Sequence, residues 1–212
     1  MSQYTLHCFA QSGNAYKVAL MLELAGADWQ PRWVDFFNGE TRSQAWRSKN
    51  EMGEVPVLEH DGLVLAQSGV ILDYLVGKLG QFGAADDGER REILRWILWD
   101  NHKLTSNIAT LRYLLQFAPG ADPAVIECLR GRARSALKIL DSHLADREFV
   151  IGDRATTADL SLIGYLYFPD EFGVDWADFP AVGEWTERIA ALPRWKHPYA
   201  LMPGHPLPKK EA

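Results

Sequence analysis

The chain has 212 residues, 47% hydrophobic and 24% charged, with 22 Lys and Arg against 28 Asp and Glu, a formal charge of −6 and two cysteines, Cys8 and Cys128. Two cysteines in a chain long enough to bury a core exclude a disulfide-stapled scaffold, and neither has a partner at ligand spacing, so no metal site is expected. The acidic balance argues against a nucleic-acid partner held by phosphate neutralisation, and no run approaches the roughly 18 uninterrupted apolar residues of a membrane helix.

In chain order, the first part alternates strand-like and helix-like patterns. Tyr4 to Phe9 predicts a strand, the spacing of Val18, Met21, Leu22 and Ala25 a helix, and Trp33 to Phe36 a second strand. Val55 to Leu58, the turn His60-Asp61-Gly62 and Leu63 to Ala66 predict a hairpin, followed by a helix with Val70, Ile71, Tyr74 and Leu75. This order implies an α/β unit with a mixed sheet. The start lacks the basic and long apolar regions of a secretory signal, so the expectation is a cytoplasmic protein with reduced thiols.

Beyond Leu79 the strand signal ends. Residues 80–88 are rich in Gly and Asp and predict a linker. One long helical stripe follows through Ile93, Ile97, Leu104, Ile108, Leu111 and Leu115, stopping at Pro119-Gly120. Asp122-Pro123 supplies a cap and a first-turn proline for a second helix, and Thr156-Thr157-Ala158-Asp159 resembles a capping box with Asp at the usual Glu or Gln position. A last helix carries Val182, Trp185, Ile189 and Leu192 and stops at Pro193. The expected units are 1–79, a linker 80–88, an all-helical domain 89–201 and a mobile tail 202–212.

Three motifs suit the binding of an anionic, peptide-like ligand. Ser12-Gly13-Asn14 lies at a strand-to-helix junction, where unpaired N–H groups and the helix dipole favour negative charge. Val55-Pro56 opens an apolar strand, and proline there implies an edge or irregular entry with backbone groups left to pair. Gln67-Ser68 offers an amide, a hydroxyl and helix N–H groups to a carboxylate. Each alone is also what an ordinary helix cap or strand start looks like. Cys8 and Cys128 read as buried reduced thiols, Tyr4 and Tyr16 as structural, and most of the eight tryptophans as core.

In order and spacing the three motifs resemble the cytosolic glutathione transferase family, and the likeness extends to about Trp195. Ser12-Gly-Asn-Ala-Tyr-Lys-Val is similar to a serine-type catalytic loop of bacterial and other classes, Asn50 to Leu58 to the segment ending in a cis-proline, and Gln67-Ser68 to the γ-glutamyl site. The resemblance implies a thioredoxin-like α/β N-terminal domain, an all-α helical-bundle C-terminal domain, glutathione as co-substrate and a homodimer. It implies conjugation of the glutathione thiolate to a small hydrophobic electrophile, as in detoxification. Ser12 would stabilise the thiolate with Asn14 in support, Val55-Pro56 would pair with the cysteinyl part, and Gln67 and Ser68 would hold the γ-glutamyl end. Glu54 stands where the family often has Lys or Gln, so Lys49 or Arg42 would meet the glycyl carboxylate. Phe9, Trp99, His102, Tyr165 and Phe168 are candidates for the electrophile's pocket. A glutathione-dependent disulfide oxidoreductase or peroxidase, and a non-catalytic binding module of the same fold, are the alternatives.

Overall fold

A computed structural model describes residues 3–207. Its first unit holds β1 (Tyr4–Cys8), α1 (Gly13–Leu24), β2 (Trp29–Trp33), α2 (Gln44–Lys49), β3 (Val57–His60), β4 (Leu63–Ala66) and α3 (Ser68–Leu79). The strands form one sheet in the order β2-β1-β3-β4, with β2 parallel to β1 and the other two pairings antiparallel. This is the thioredoxin-like arrangement. Asp61 and Gly62 both take positive φ, as the two-residue β3–β4 turn requires. α1 is buried almost all round, from Ala15 through Leu22, so the first unit's core is built on it.

Two strands differ from expectation. β2 spans Trp29–Trp33 rather than Trp33 to Phe36, because it is an exposed edge strand that tolerates Pro31 and shows no apolar alternation. The ladder of β3 begins at Val57, with the Val55–Pro56 peptide cis just before it.

The second unit, residues 82–191, is all helical: α4 (Asp87–Trp99), α5 (Thr105–Gln116), α6 (Pro123–Leu144), α7 (Thr157–Leu162), α8 (Pro169–Phe172) and α9 (Pro180–Ala190). The single stripe expected from Ile93 to Leu115 is divided by a π-helical turn at Asp100–Leu104, where buried Asp100 accepts from the hydroxyls of Thr105 and Ser161, each at 2.7 Å. The capping box forms as read. Buried Asp159 accepts from the backbone N–H of Thr156 and Val150 and from Trp185 Nε1. Cys128, expected buried, is exposed. It precedes buried Leu137 by about two and a half turns of α6, which puts it on the opposite face.

The boundaries also differ. The chain from Leu192 onward clusters with the first unit, so 192–201 does not belong to the helical domain, and the first unit ends at Gln81. α10 (Pro198–Leu201) leads into buried Met202, and Ala10 N donates to Pro203 O at 2.7 Å. The start of the expected mobile tail is therefore held by backbone carbonyls, which composition does not reveal. Residues 208–212 of that tail lie outside the described residues.

Candidate active site

The sheet register brings the three motifs to one end of the first unit. His7 faces Val57 and Val57 faces Ala66, so one step further along the strands Cys8 comes level with Pro56, and Pro56 with Gln67. The loop after β1, the entry to β3 and the exit of β4 thus converge, with the N-termini of α1 and α3 beside them.

Ser12 is the N-cap of α1 and is 5% exposed. Its Oγ accepts from Ala15 N at 3.2 Å, while its own N–H closes a turn onto Phe9 O at 3.0 Å. A hydroxyl that accepts one bond still has a hydrogen to give, and among the described residues no protein acceptor takes it. Two residues on, Asn14 Oδ1 is buried without a hydrogen-bond partner, a state that costs about 1–3 kcal/mol. The first turn of α1 carries no acidic side chain, so the positive end of its dipole is uncompensated.

At the second helix end, Gln67 adopts φ +69° and α3 has no side-chain cap, so its first N–H groups lack an intrahelical or capping acceptor. Ser68 opens the helix and is buried. Gln67 Nε2 donates to Glu54 Oε2 at 3.0 Å, and buried Asn50 holds the intervening loop by donating to Glu54 O and accepting from Met52 N. Val55 precedes the first paired residue of β3, so its amide and carbonyl lie outside the ladder. Lys49 is engaged on the sheet. Its ammonium bonds Glu59 and lies 3.2 Å from His7 Nε2, which is itself 2.9 Å from Glu59. Burial pushes the His7 imidazole below its ordinary value, with Lys49 adding to the effect and Glu59 opposing it. The Lys49 hydrogen bond holds the Glu59 carboxyl low.

The five expected pocket residues fall in three places. Phe9 stacks on Phe36 with ring centroids 4.9 Å apart and meets Phe37 edge-on, forming an aromatic wall on the loop that leads to Ser12. Trp99 and His102 share a cleft of about 770 Å³ in the helical unit with Lys103, Arg132 and Ile139. Tyr165 and Phe168 flank the Arg112 guanidinium, which lies 3.7 Å from the Phe168 ring centroid and pairs with Glu171. Sequence reasoning missed Phe36, Phe37 and Gln11. Phe36 falls at the end of the expected second strand and Phe37 just beyond it, whereas nothing local assigns a role to Gln11, whose Nε2 donates to distant Gly204 O at 2.8 Å. Cys8, at the end of β1, is fully buried, and burial pushes its thiol up to about 12, away from thiolate character.

Residues 2–77 match the family model "Glutathione S-transferase, N-terminal domain" and residues 103–193 match "Glutathione S-transferase, C-terminal domain". The chain is 28% identical over 192 residues to the disulfide-bond oxidoreductase YfcG of Escherichia coli, covering 87% of this chain and 89% of that one. It is 30% identical over 183 residues to glutathione S-transferase 1 of Dianthus caryophyllus, covering 82% and 81%. A structure described as a possible glutathione S-transferase from Rhodopseudomonas palustris superposes with a TM-score of 0.88 at 31% identity, over 93% of this chain and 90% of the other.

Proposed function

The chain belongs to the glutathione S-transferase family, and from that premise we propose that it binds glutathione at the junction of β1, β3 and β4 and transfers its thiolate to a small hydrophobic electrophile, with Ser12 donating a hydrogen bond to the sulfur. The observation that carries this reading is the pair of unused groups at the head of α1, the Ser12 hydroxyl hydrogen and the buried Asn14 Oδ1. The uncapped N–H groups of α3 and the Ser68 hydroxyl take the γ-glutamyl carboxylate, and the Val55 backbone pairs with the cysteinyl part. Lys49, already bonded to Glu59 and 3.2 Å from His7, has a third ammonium hydrogen to give a glycyl carboxylate.

The magnitudes suffice. A thiol of pKa about 8.5 is a few per cent ionised at neutral pH, and each unit of lowering corresponds to about 1.36 kcal/mol. A hydrogen bond to an ionised group is worth about 1.5–3 kcal/mol and a helix N-terminus about 0.3–1. Together these supply enough to lower the thiol by about one to three units. The thiolate then forms a carbon–sulfur bond, and the leaving group departs with its electron pair. Phe36 and Phe37, packed on buried Phe9, offer the electrophile an apolar surface.

The test separates the cap from the chemistry. Ser12→Gly weakens an N-cap by only a few tenths of a kcal/mol, yet removes the hydroxyl. Conjugation of chlorodinitrobenzene is expected to fall about 10–100-fold in kcat/KM in both Ser12→Gly and Ser12→Ala. Unchanged turnover removes Ser12 from the mechanism.

The likeness to a disulfide-bond oxidoreductase favours a second reading of the same site. There the bound thiolate attacks one sulfur of a disulfide, forming a glutathione mixed disulfide and releasing the other sulfur as thiolate. A glutathione-dependent rate with a mixed-disulfide substrate above that with chlorodinitrobenzene would select it.

We further infer a homodimer. Leu63, Val64 and Val70 are exposed on β4 and α3, as are Leu94 and Leu98 on α4, and such apolar side chains suit a protein interface. No helix among the described residues is long and apolar enough to cross a membrane.

A further inference from the structure

The last described stretch of the chain runs back along α1 and ends on the loop that carries Ser12. At the C-terminal end of α1, Arg194 Nε donates to the Glu23 carbonyl and Lys196 Nζ to Glu23 Oε1, each at 2.9 Å. Nearer its start, the fully buried Tyr16 donates its hydroxyl to Lys196 O at 2.9 Å. α10 and buried Met202 follow. At the head of the helix Ala10 N donates to Pro203 O at 2.7 Å, and Gln11 Nε2 to Gly204 O at 2.8 Å. Beyond them His205 stacks on Tyr199, ring centroids 3.7 Å apart and 6° from parallel, so the segment folds back on itself. One strap is therefore attached at both ends of the helix that Ser12 caps.

Gly204 is the point of closest approach. Its φ is +94°, and a Cβ there would stand 2.7 Å from Trp33 Nε1 and 3.8 Å from Phe9 Cβ. A side chain at this position is strained at that φ and displaces either the Trp33 ring or the strap itself. The Ala10 amide, in a fully buried residue, takes its acceptor from the strap, as does the Gln11 side chain. These two bonds fix the residues immediately before Ser12, and a displacement of about 1 Å in a group that must meet a reacting atom can cost about 100-fold in rate.

We propose that Gln11 and Gly204 are positioning residues, through which the C-terminal strap holds the Ser12 loop so that the hydroxyl hydrogen meets the sulfur of bound glutathione. The proposal rests on the reading of Ser12 given above. It assigns a role in thiolate stabilisation to a segment more than 180 residues away in sequence.

The experiment compares full-length wild type, Ser12→Ala, Gln11→Ala and Gly204→Val. The pH profile of kcat reports the thiol in the enzyme–glutathione complex. Calorimetric binding of S-methylglutathione, which has no ionisable thiol, reports the ligand site alone. Gln11→Ala and Gly204→Val are expected to move the profile alkaline by about one unit, a tenfold loss at mildly acid pH, with S-methylglutathione affinity within about twofold of wild type. An unmoved profile in both variants overturns the proposal, as does loss of S-methylglutathione affinity with the profile unmoved, which marks the strap as a plain structural staple. If Gly204→Val does not fold, Gln11→Ala decides. A shift in Ser12→Ala without one in the strap variants sinks the strap alone, whereas no shift in Ser12→Ala sinks the Ser12 reading and the strap with it.

Discussion

At the scale of single residues, the head of α1 holds a polar imbalance that a ligand would relieve. Asn14 Oδ1 is buried without a partner, and removing it removes a desolvation penalty of about 1–3 kcal/mol from the unliganded protein. Asn14→Ala is therefore expected to be neutral to about 1 kcal/mol more stable in urea unfolding without glutathione. Its glutathione affinity by calorimetry should fall about tenfold, because the acceptor that a ligand N–H would meet is gone. A variant less stable than wild type with unchanged affinity would make Asn14 a structural residue. Ser12 was legible in the sequence because a hydroxyl between a strand pattern and a helix pattern has few other places to be. That the same oxygen both caps the helix and keeps a hydrogen to donate was not, since this depends on which neighbours come within reach. Lys49 shows the converse. A lysine near the motif suggested an anion contact, but the Glu59 and His7 that engage it are brought together by the pairing of β1 with β3, which no local pattern encodes.

At the scale of elements, local chemistry was readable where the signal is local. The capping box at Thr156, the Asp122 cap with its proline and the Asp61-Gly62 turn all act within four residues. β2 and the strap were misjudged because their stabilisation comes from far away: one is an exposed edge, the other a chain held by carbonyl acceptors and by Glu23. Glu23 also gives the strap a pH dependence. Burial raises its carboxyl, but hydrogen bonds from Lys196 and Trp29 and the charges of Lys196 and Arg194 outweigh this and hold it below the usual carboxylate range. A depressed folded pKa adds stability that is fully present above the ordinary Glu value and is lost as pH falls through the folded one. Protection of the Ala200, Leu201 and Met202 amides against hydrogen exchange is therefore expected to drop in wild type below about pH 4.5. In Glu23→Gln that acid-dependent drop should be absent, and an identical drop in both proteins would mean that another carboxylate controls the strap.

At the scale of the whole molecule, the change from strand-like alternation to helical periodicity near Leu79 made the two-unit organisation readable, and only the return of the chain from Leu192 to the first unit was hidden. The proposed homodimer rests on the surface chemistry of each unit taken by itself. Val70 on α3 is 53% exposed and Leu98 on α4 is 61% exposed, each with further exposed apolar neighbours, Leu63 and Val64 in one unit and Leu94 in the other. Leu94 and Leu98 lie one helical turn apart and so present one continuous strip. Covering them removes apolar area from water at about 25 cal/mol per Å², whereas placing a charge in a covered strip costs several kcal/mol. Sedimentation equilibrium is expected to give twice the 23.9 kDa chain mass for wild type. Val70→Arg and Leu98→Arg should each weaken association by at least about tenfold, with far-UV circular dichroism unchanged because both side chains point to solvent within the chain. If only Leu98→Arg dissociates the dimer, the interface uses the helical unit alone, and a monomeric wild type at micromolar concentration would refute the dimer outright.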